Sequence, residues 1–241
     1  MGTSSKNHQK IQEMTTILYK KEKNMLHLGH VYILGDSYST FEGYIPEGYN
    51  PWYRPAPSDS TDVTRAEETW WHLLLSRSDG MILKNSSWSG STICNTGYDG
   101  NDYSDHSFIA RFERDFTDGF FAKNKIDTMF IFGGTNDTWA NSPLGTLTSD
   151  DASPEALKQA LPAIGYLFRR VSETLPDTRV VVMLNDVLKS EIETAQIEAA
   201  EKFGLDCLRL HDIEKQSGHP YKSGMRTIAD ETEAFFTDRE N

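Results

Sequence analysis

An α/β fold, a three-layer αβα sandwich around a five-stranded parallel sheet, is predicted by three observations. Five short apolar runs alternate with stretches of helical periodicity, the order expected of strands that cross over a helix to pair in parallel. The run at 178–184 is continuous and rich in β-branched residues rather than alternating, as in strands covered on both faces. Polar motifs sit just past the carboxyl ends of the runs, where open α/β sheets place their ligands.

Taken in order, residues 1–27 form a polar lead-in with a short helix expected near 10–20, and a single domain follows over 28–241. The first strand, 29–35, stops at Gly35-Asp36-Ser37. A long segment at 41–65 carries four prolines with Tyr44, Tyr49, Trp52 and Tyr53 between them. Loops of that length are usually functional or disordered, and the aromatic content disfavours disorder. A pocket wall or a surface lid packed on its own side chains both fit. Trp70, Leu73, Leu74 and Arg77 predict a helix over 66–78, with Thr64 or Asp62 as its cap.

The second strand, 81–85, runs into the polar string 86–92. Ser107 to Phe121 reads as a helix whose Phe108, Phe112 and Phe116 stripe packs into the core. The third strand, 126–132, leads into Gly133-Gly134-Thr135-Asn136-Asp137. Ser153-Pro154-Glu155 opens a helix toward Leu175, with a kink or restart expected at Pro162. The fourth strand spans 178–184, a helix over 189–203 is closed by Gly204, the fifth strand spans 206–210, and a last helix covers 221–236.

Composition narrows the function classes. The 241 residues are enough for a substantial core, with 37% hydrophobic and 25% charged side chains. A formal net charge of −12 argues against nucleic acid or an anionic membrane as partner, because either needs a basic face. No apolar run approaches the roughly 18 residues of a membrane span. Cys94 and Cys207 are too few for a disulfide framework and read as small buried residues. Asp99, Asn101, Asp102 and Asp105 lack the Gly and Glu of a calcium-hand loop, and no metal or cofactor is expected. The first thirty residues lack the apolar centre of a signal peptide. As written the chain reads as cytoplasmic, or as exported if a signal has been removed.

In a parallel sheet the loops after the strands share one edge. Ser37, Gly90, Asn136 and His219 therefore converge. Such a set suits hydrolysis by a serine: an imidazole takes the hydroxyl proton as it attacks, and amide donors hold the oxyanion.

These blocks resemble the SGNH, or GDSL-type, hydrolases. Gly35-Asp36-Ser37 matches the first block, Ser89-Gly90 the second, Gly134-Thr135-Asn136-Asp137 the third, and Gly218-His219-Pro220 the block that supplies the histidine. The resemblance covers 29–236, and the string Asn85–Asn95 is similar to an uncharacterised bacterial branch of the kind found in gut Bacteroides. It implies a flavodoxin-like topology and an esterase that forms an acyl-enzyme. Ser37 would be the nucleophile and His219 the general base and then acid. The oxyanion donors would be the Ser37 and Gly90 N–H groups and the Asn136 amide. Asp36 would order the turn. With Tyr38, Trp88 and Trp139 it is placed on the substrate side, where either tryptophan could line a sugar-stacking pocket or support its loop.

One position departs from the family pattern: the acid expected three residues before the histidine is Gln216. Gln216 as neutral orienter, Asp212 or Glu214 as a folded-back acid, or a main-chain carbonyl all remain open. The implied substrate is a small-molecule or carbohydrate ester carrying a short acyl group such as acetyl. A lysophospholipase or thioesterase, and a carbohydrate-binding protein that no longer turns over, are the alternatives.

Overall fold

The computed structural model of the protein describes residues 25–56 and 59–240, and the helix expected near 10–20 lies outside them. Strands β1 (His30–Gly35), β2 (Met81–Asn85), β3 (Thr128–Phe132), β4 (Arg179–Leu184) and β5 (Asp206–Arg209) form one sheet in the order β2-β1-β3-β4-β5. Every pairing in it is parallel. This is the flavodoxin-like order, with its switch point between β1 and β3.

Successive side chains of each inner strand enter opposite layers. Tyr32, Leu34, Met129, Ile131, Val180 and Val182 face one core, shared with α2 (Phe108–Thr117), α6 (Ala160–Thr174) and α7 (Ser190–Phe203). Val31, Ile33, Phe130, Phe132, Val181 and Met183 face the other, shared with α1 (Trp70–Leu75) and α8 (Lys222–Glu240). Both faces are thus covered, which is why the strand sequences are apolar throughout. Short helices α3 (Phe120–Lys123), α4 (Thr135–Trp139) and α5 (Pro154–Leu157) complete the loops, and a hairpin of β6 (Lys215–Gln216) and β7 (His219–Pro220) precedes α8. Both cysteines are free; Cys94 is buried and Cys207 half-buried.

Three details differ from the sequence reading. The helix expected over 66–78 is a 3₁₀ turn, Ala66–Glu68, followed by α1. Thr69 is extended, with ψ 152°, and its hydroxyl closes the turn on the Ala66 carbonyl at 2.6 Å. Neither expected residue caps it: Glu68 takes the Thr64 and Arg65 N–H groups, and Asp62 accepts from Lys222 N at the start of α8. The restart near Pro162 occurs at Gln159, which places the proline in the first turn of α6, where its missing N–H leaves no bond unmade.

The third difference is Phe116. Phe108 and Phe112 are fully buried, yet Phe116 is 46% exposed under the Arg170 guanidinium. A four-residue step turns about 400° around a helix, so each step drifts about 40° from the last. Two steps carry Phe116 off the core face. Arg111 and Asp115 are buried there instead, with Asp115 accepting from Tyr32 Oη at 2.6 Å and pairing with Lys84 Nζ at 2.5 Å. Phe112→Ala is expected to cost about 3–5 kcal/mol and Phe116→Ala under about 1 kcal/mol in urea unfolding. Equal losses would contradict this placement of α2.

Candidate active site

The nucleophile turn begins where β1 runs out. Asp36 caps the 3₁₀ turn Ser37–Ser39 by accepting the Tyr38 N–H on Oδ1 at 3.0 Å, and its own N–H reaches the Phe132 carbonyl at the end of β3. Only glycine fits at position 35, because a Cβ there would lie 2.5 Å from Ser87 Oγ and 2.7 Å from Ser39 Cβ. Asp36 is 1% exposed, and its burial pushes the carboxyl up to about 7.

The histidine arrives on the β6–β7 hairpin, in which Gln216 pairs with His219 and Lys215 with Pro220. The connection is Ser217-Gly218, both with positive φ (50° and 78°). That is the type I′ geometry, which suits the twist of a tight hairpin and favours glycine. Nε2 of His219 lies 3.0 Å from Ser37 Oγ, and Nδ1 lies 3.0 Å from the Ser217 carbonyl. Two phenols hold the hairpin: Tyr38 donates to Gly218 O at 2.5 Å and Tyr53 to Pro220 O at 3.0 Å. The indole of Trp52 stacks on the imidazole with centroids 3.6 Å apart and planes 8° apart, and Trp139 meets it edge-on at 5.8 Å. Burial lowers the proton affinity of His219.

A third segment supplies amides. After β2 the chain continues alongside β1, with Ser86 N on Ile33 O and Trp88 N on Gly35 O. Asn136, in the first turn of α4, donates Nδ2–H to Ser91 O at 3.0 Å and accepts the Tyr98 hydroxyl on Oδ1 at 2.8 Å. Its amide is therefore fixed in orientation with one N–H to spare. Asp137 takes the Ile93 and Cys94 N–H groups. Arg111, fully buried, donates to Ser86 O, to Ser91 Oγ at 2.8 Å and to His106 O at 2.9 Å. Gly90 lies inside this braced loop with φ 85°. Among the described residues, neither its N–H nor that of Ser37 finds an acceptor. A hydroxyl, an imidazole with a free lone pair, and three unspent N–H donors are what acyl transfer requires.

The family model for GDSL-like lipase/acylhydrolase matches residues 29–236. The chain belongs to this family. It is an ester-hydrolysing enzyme. A candidate GDSL-like lipase from Bacteroides ovatus is 40% identical, with 89% of this chain and 99% of that one covered and a TM-score of 0.81. A second, from Bacteroides uniformis, is 37% identical over 85% and 93% of the two chains, with a TM-score of 0.78. An acetyl xylan esterase from Butyrivibrio proteoclasticus shares the fold at 17% identity, covering 88% of this chain and 64% of that one, with a TM-score of 0.56. No curated protein matches the chain.

Within this GDSL-like frame the structure brings together Ser37, His219, Asn136 and the Gly90 loop, and it corrects several neighbours. Gln216 is exposed and meets His219 only through the backbone of the hairpin. Asp212 is exposed too, and Glu214 accepts from Ser223 Oγ. The tight turn puts the Ser217 carbonyl at Nδ1 instead. Asp36 and Tyr38 are buried, with Asp36 Oδ1 held by the turn and the Tyr38 hydroxyl by the hairpin, so neither lines a substrate surface. Trp88 packs between Tyr49 and His106, bracing the long loop, whereas Trp139, 38% exposed, stands at the mouth of the site.

Trp52, Tyr53, Tyr98, Arg111 and Ser217 are the residues that sequence reasoning missed. The aromatic spacing of the long loop pointed toward the first two. Nothing local marks the others.

The raised Asp36 carboxyl generates a stability prediction. Its folded value, about 7 against an ordinary 3.8, means the folded state holds an extra proton between those pH values. Stability from the neutral carboxyl is therefore complete below about pH 4 and is lost as pH rises to about 7. Asp36→Asn does not titrate, so its stability relative to wild type should climb across that window, by on the order of 4 kcal/mol at most, and then level off. Urea midpoints at pH 4, 5.5 and 8 measure this, and a difference that stays flat would refute it.

Proposed function

We propose that the protein is a serine esterase that removes a short acyl group, acetyl foremost, from a carbohydrate. The observation that carries the chemistry is the 3.0 Å approach of His219 Nε2 to Ser37 Oγ. Ser37 attacks the ester carbonyl while Nε2 takes its proton. The Oγ–C bond forms as the carbonyl electron pair moves onto oxygen, where the Ser37 and Gly90 N–H groups and the spare Asn136 N–H receive it. Collapse returns the proton from Nε2 to the departing alcohol and leaves an acyl-enzyme. Water, deprotonated by the same nitrogen, then releases the acid.

A cavity of about 460 Å³ beside the site supports a polar alcohol. Asn50, Arg54, Ser60, Thr61 and Ser89 line it together with the apolar Pro51, Trp52 and Ala56. Hydroxyl, amide and guanidinium groups beside an indole suit a sugar ring, whereas a long acyl chain would call for an apolar channel. That an acetyl xylan esterase uses the same fold is in keeping with this reading.

Ser37→Ala should abolish turnover of p-nitrophenyl acetate and of acetylated xylo-oligosaccharides, and a fluorophosphonate should label Ser37 alone when the modified peptide is mapped. Asn136→Ala should lower kcat by about 10²–10³. Rates across p-nitrophenyl esters should fall with chain length; a preference for long acyl chains would favour the lysophospholipase or thioesterase alternative. Ligand affinity with no activity lost in Ser37→Ala would favour a binder.

A pH profile checks the imidazole separately. His219 acts as a base only when neutral, and burial keeps it neutral below its ordinary 6.5. The acid limb of kcat/KM should have its midpoint below pH 6.5, and a midpoint above 6.5 would contradict the buried imidazole as base.

A further inference from the structure

The ring of His219 is enclosed without an acid. Ser37 Oγ faces Nε2, the neutral Ser217 carbonyl faces Nδ1, and Tyr38 and Trp139 approach at 5.6 and 5.8 Å. The Tyr38 phenol is bonded to Gly218 O, and burial drives its pKa far up, so it stays neutral. Asp36 is turned onto Tyr38 N beneath the nucleophile, and Lys215 at the base of the hairpin is paired with Asp186. Among the described residues no carboxylate touches the imidazole, yet a positive charge must appear on it when Ser37 attacks. Among the described residues, the group lying flat on the ring is Trp52.

The position of that indole is built, not incidental. Trp52 N donates to Thr40 Oγ1 at 2.8 Å, and the same hydroxyl donates to Ser37 O at 2.9 Å, so the loop is tied to the nucleophile turn. The next residue, Tyr53, is tied to the histidine hairpin through Pro220 O and to Glu42 N through its own carbonyl. Trp52 Nε1 is buried and finds no acceptor among the described residues. A tryptophan oriented by its polar edge would spend that N–H; this one is oriented by its face.

We propose that Trp52 is a positioning residue that stands in for the missing orienting acid, holding the imidazole plane and stabilising the imidazolium through its π face. Tryptophan is the strongest such face, and desolvated cation–π contacts are worth about 2 kcal/mol, which is about 30-fold in rate. The inference rests on Ser37 and His219 being the reacting pair. It also accounts for an apolar group stacked on a ring that no carboxylate touches among the described residues.

The test compares Trp52→Phe and Trp52→Leu, reading kcat and KM on p-nitrophenyl acetate and the His219 titration by NMR without substrate. Trp52→Phe should stay within about threefold of wild type, and Trp52→Leu should lose tenfold to thirtyfold in kcat with KM little changed. The His219 midpoint should fall in Trp52→Leu relative to Trp52→Phe. A midpoint that rises or stays put would mean the indole is only a cover, and kcat in Trp52→Leu within threefold of wild type would overturn the proposal outright. Should Trp52→Leu fail to fold, fluorinated tryptophans placed at position 52 keep the shape while weakening the π face. A stepwise fall in kcat with fluorine count supports the proposal, and an unchanged kcat refutes it. Absence of ester turnover in the wild type would refute the esterase reading itself, and the substrate-free titration would still report on the stack.

Discussion

The hydrogen bond between His219 Nδ1 and the Ser217 carbonyl is the constraint on which the site depends. A carbonyl accepts and cannot donate, so its partner nitrogen must carry the proton. Nε2 is then left bare toward Ser37, 182 positions away in sequence. A glutamine amide in the same place could present either end. In triad enzymes the wrong tautomer costs about 10⁴ in rate, and here the backbone alone excludes it. What a carbonyl lacks is charge, and that lack gives the stacked indole its significance.

Keeping this contact demands a turn that the chain would not adopt unaided. Ser217 sits at φ 50°, a region that costs a non-glycine residue roughly 1 kcal/mol or more. The phenols of Tyr38 and Tyr53 offset that strain by gripping the next carbonyls along. Tyr38 itself follows the nucleophile directly, so one short segment fixes both partners of the 3.0 Å contact. Behind it lies a sheet packed on both faces, whose inner strands carry the Gly35 and Gly133 junctions on a common edge. Rigidity passes from core to turn to imidazole through named bonds.

Much of this was legible in the sequence because it follows from periodicity. Apolar runs announced the strands, and polar residues just past them announced the edge where Ser37, Asn136 and His219 meet. Order and spacing of those motifs also carried the family. What stayed hidden depends on dihedral angles that residue identity does not dictate. Ser217-Gly218 does not advertise a type I′ turn between two-residue strands, so Gln216 and Asp212 looked like orienters when a carbonyl held the place. Phe116 seemed equivalent to Phe112 until helical drift was followed over two steps, and nothing local marked Arg111 as buried. Thr69 broke an expected helix because its hydroxyl favours closing a turn.

The tautomer of His219 tests the account most directly. Long-range ¹H–¹⁵N correlation spectra of the imidazole at neutral pH should show the Nδ1-protonated form, with an unprotonated Nε2 facing Ser37. A ring protonated at Nε2 would mean that the Ser217 carbonyl does not set the imidazole, and the mechanism built on it would fall.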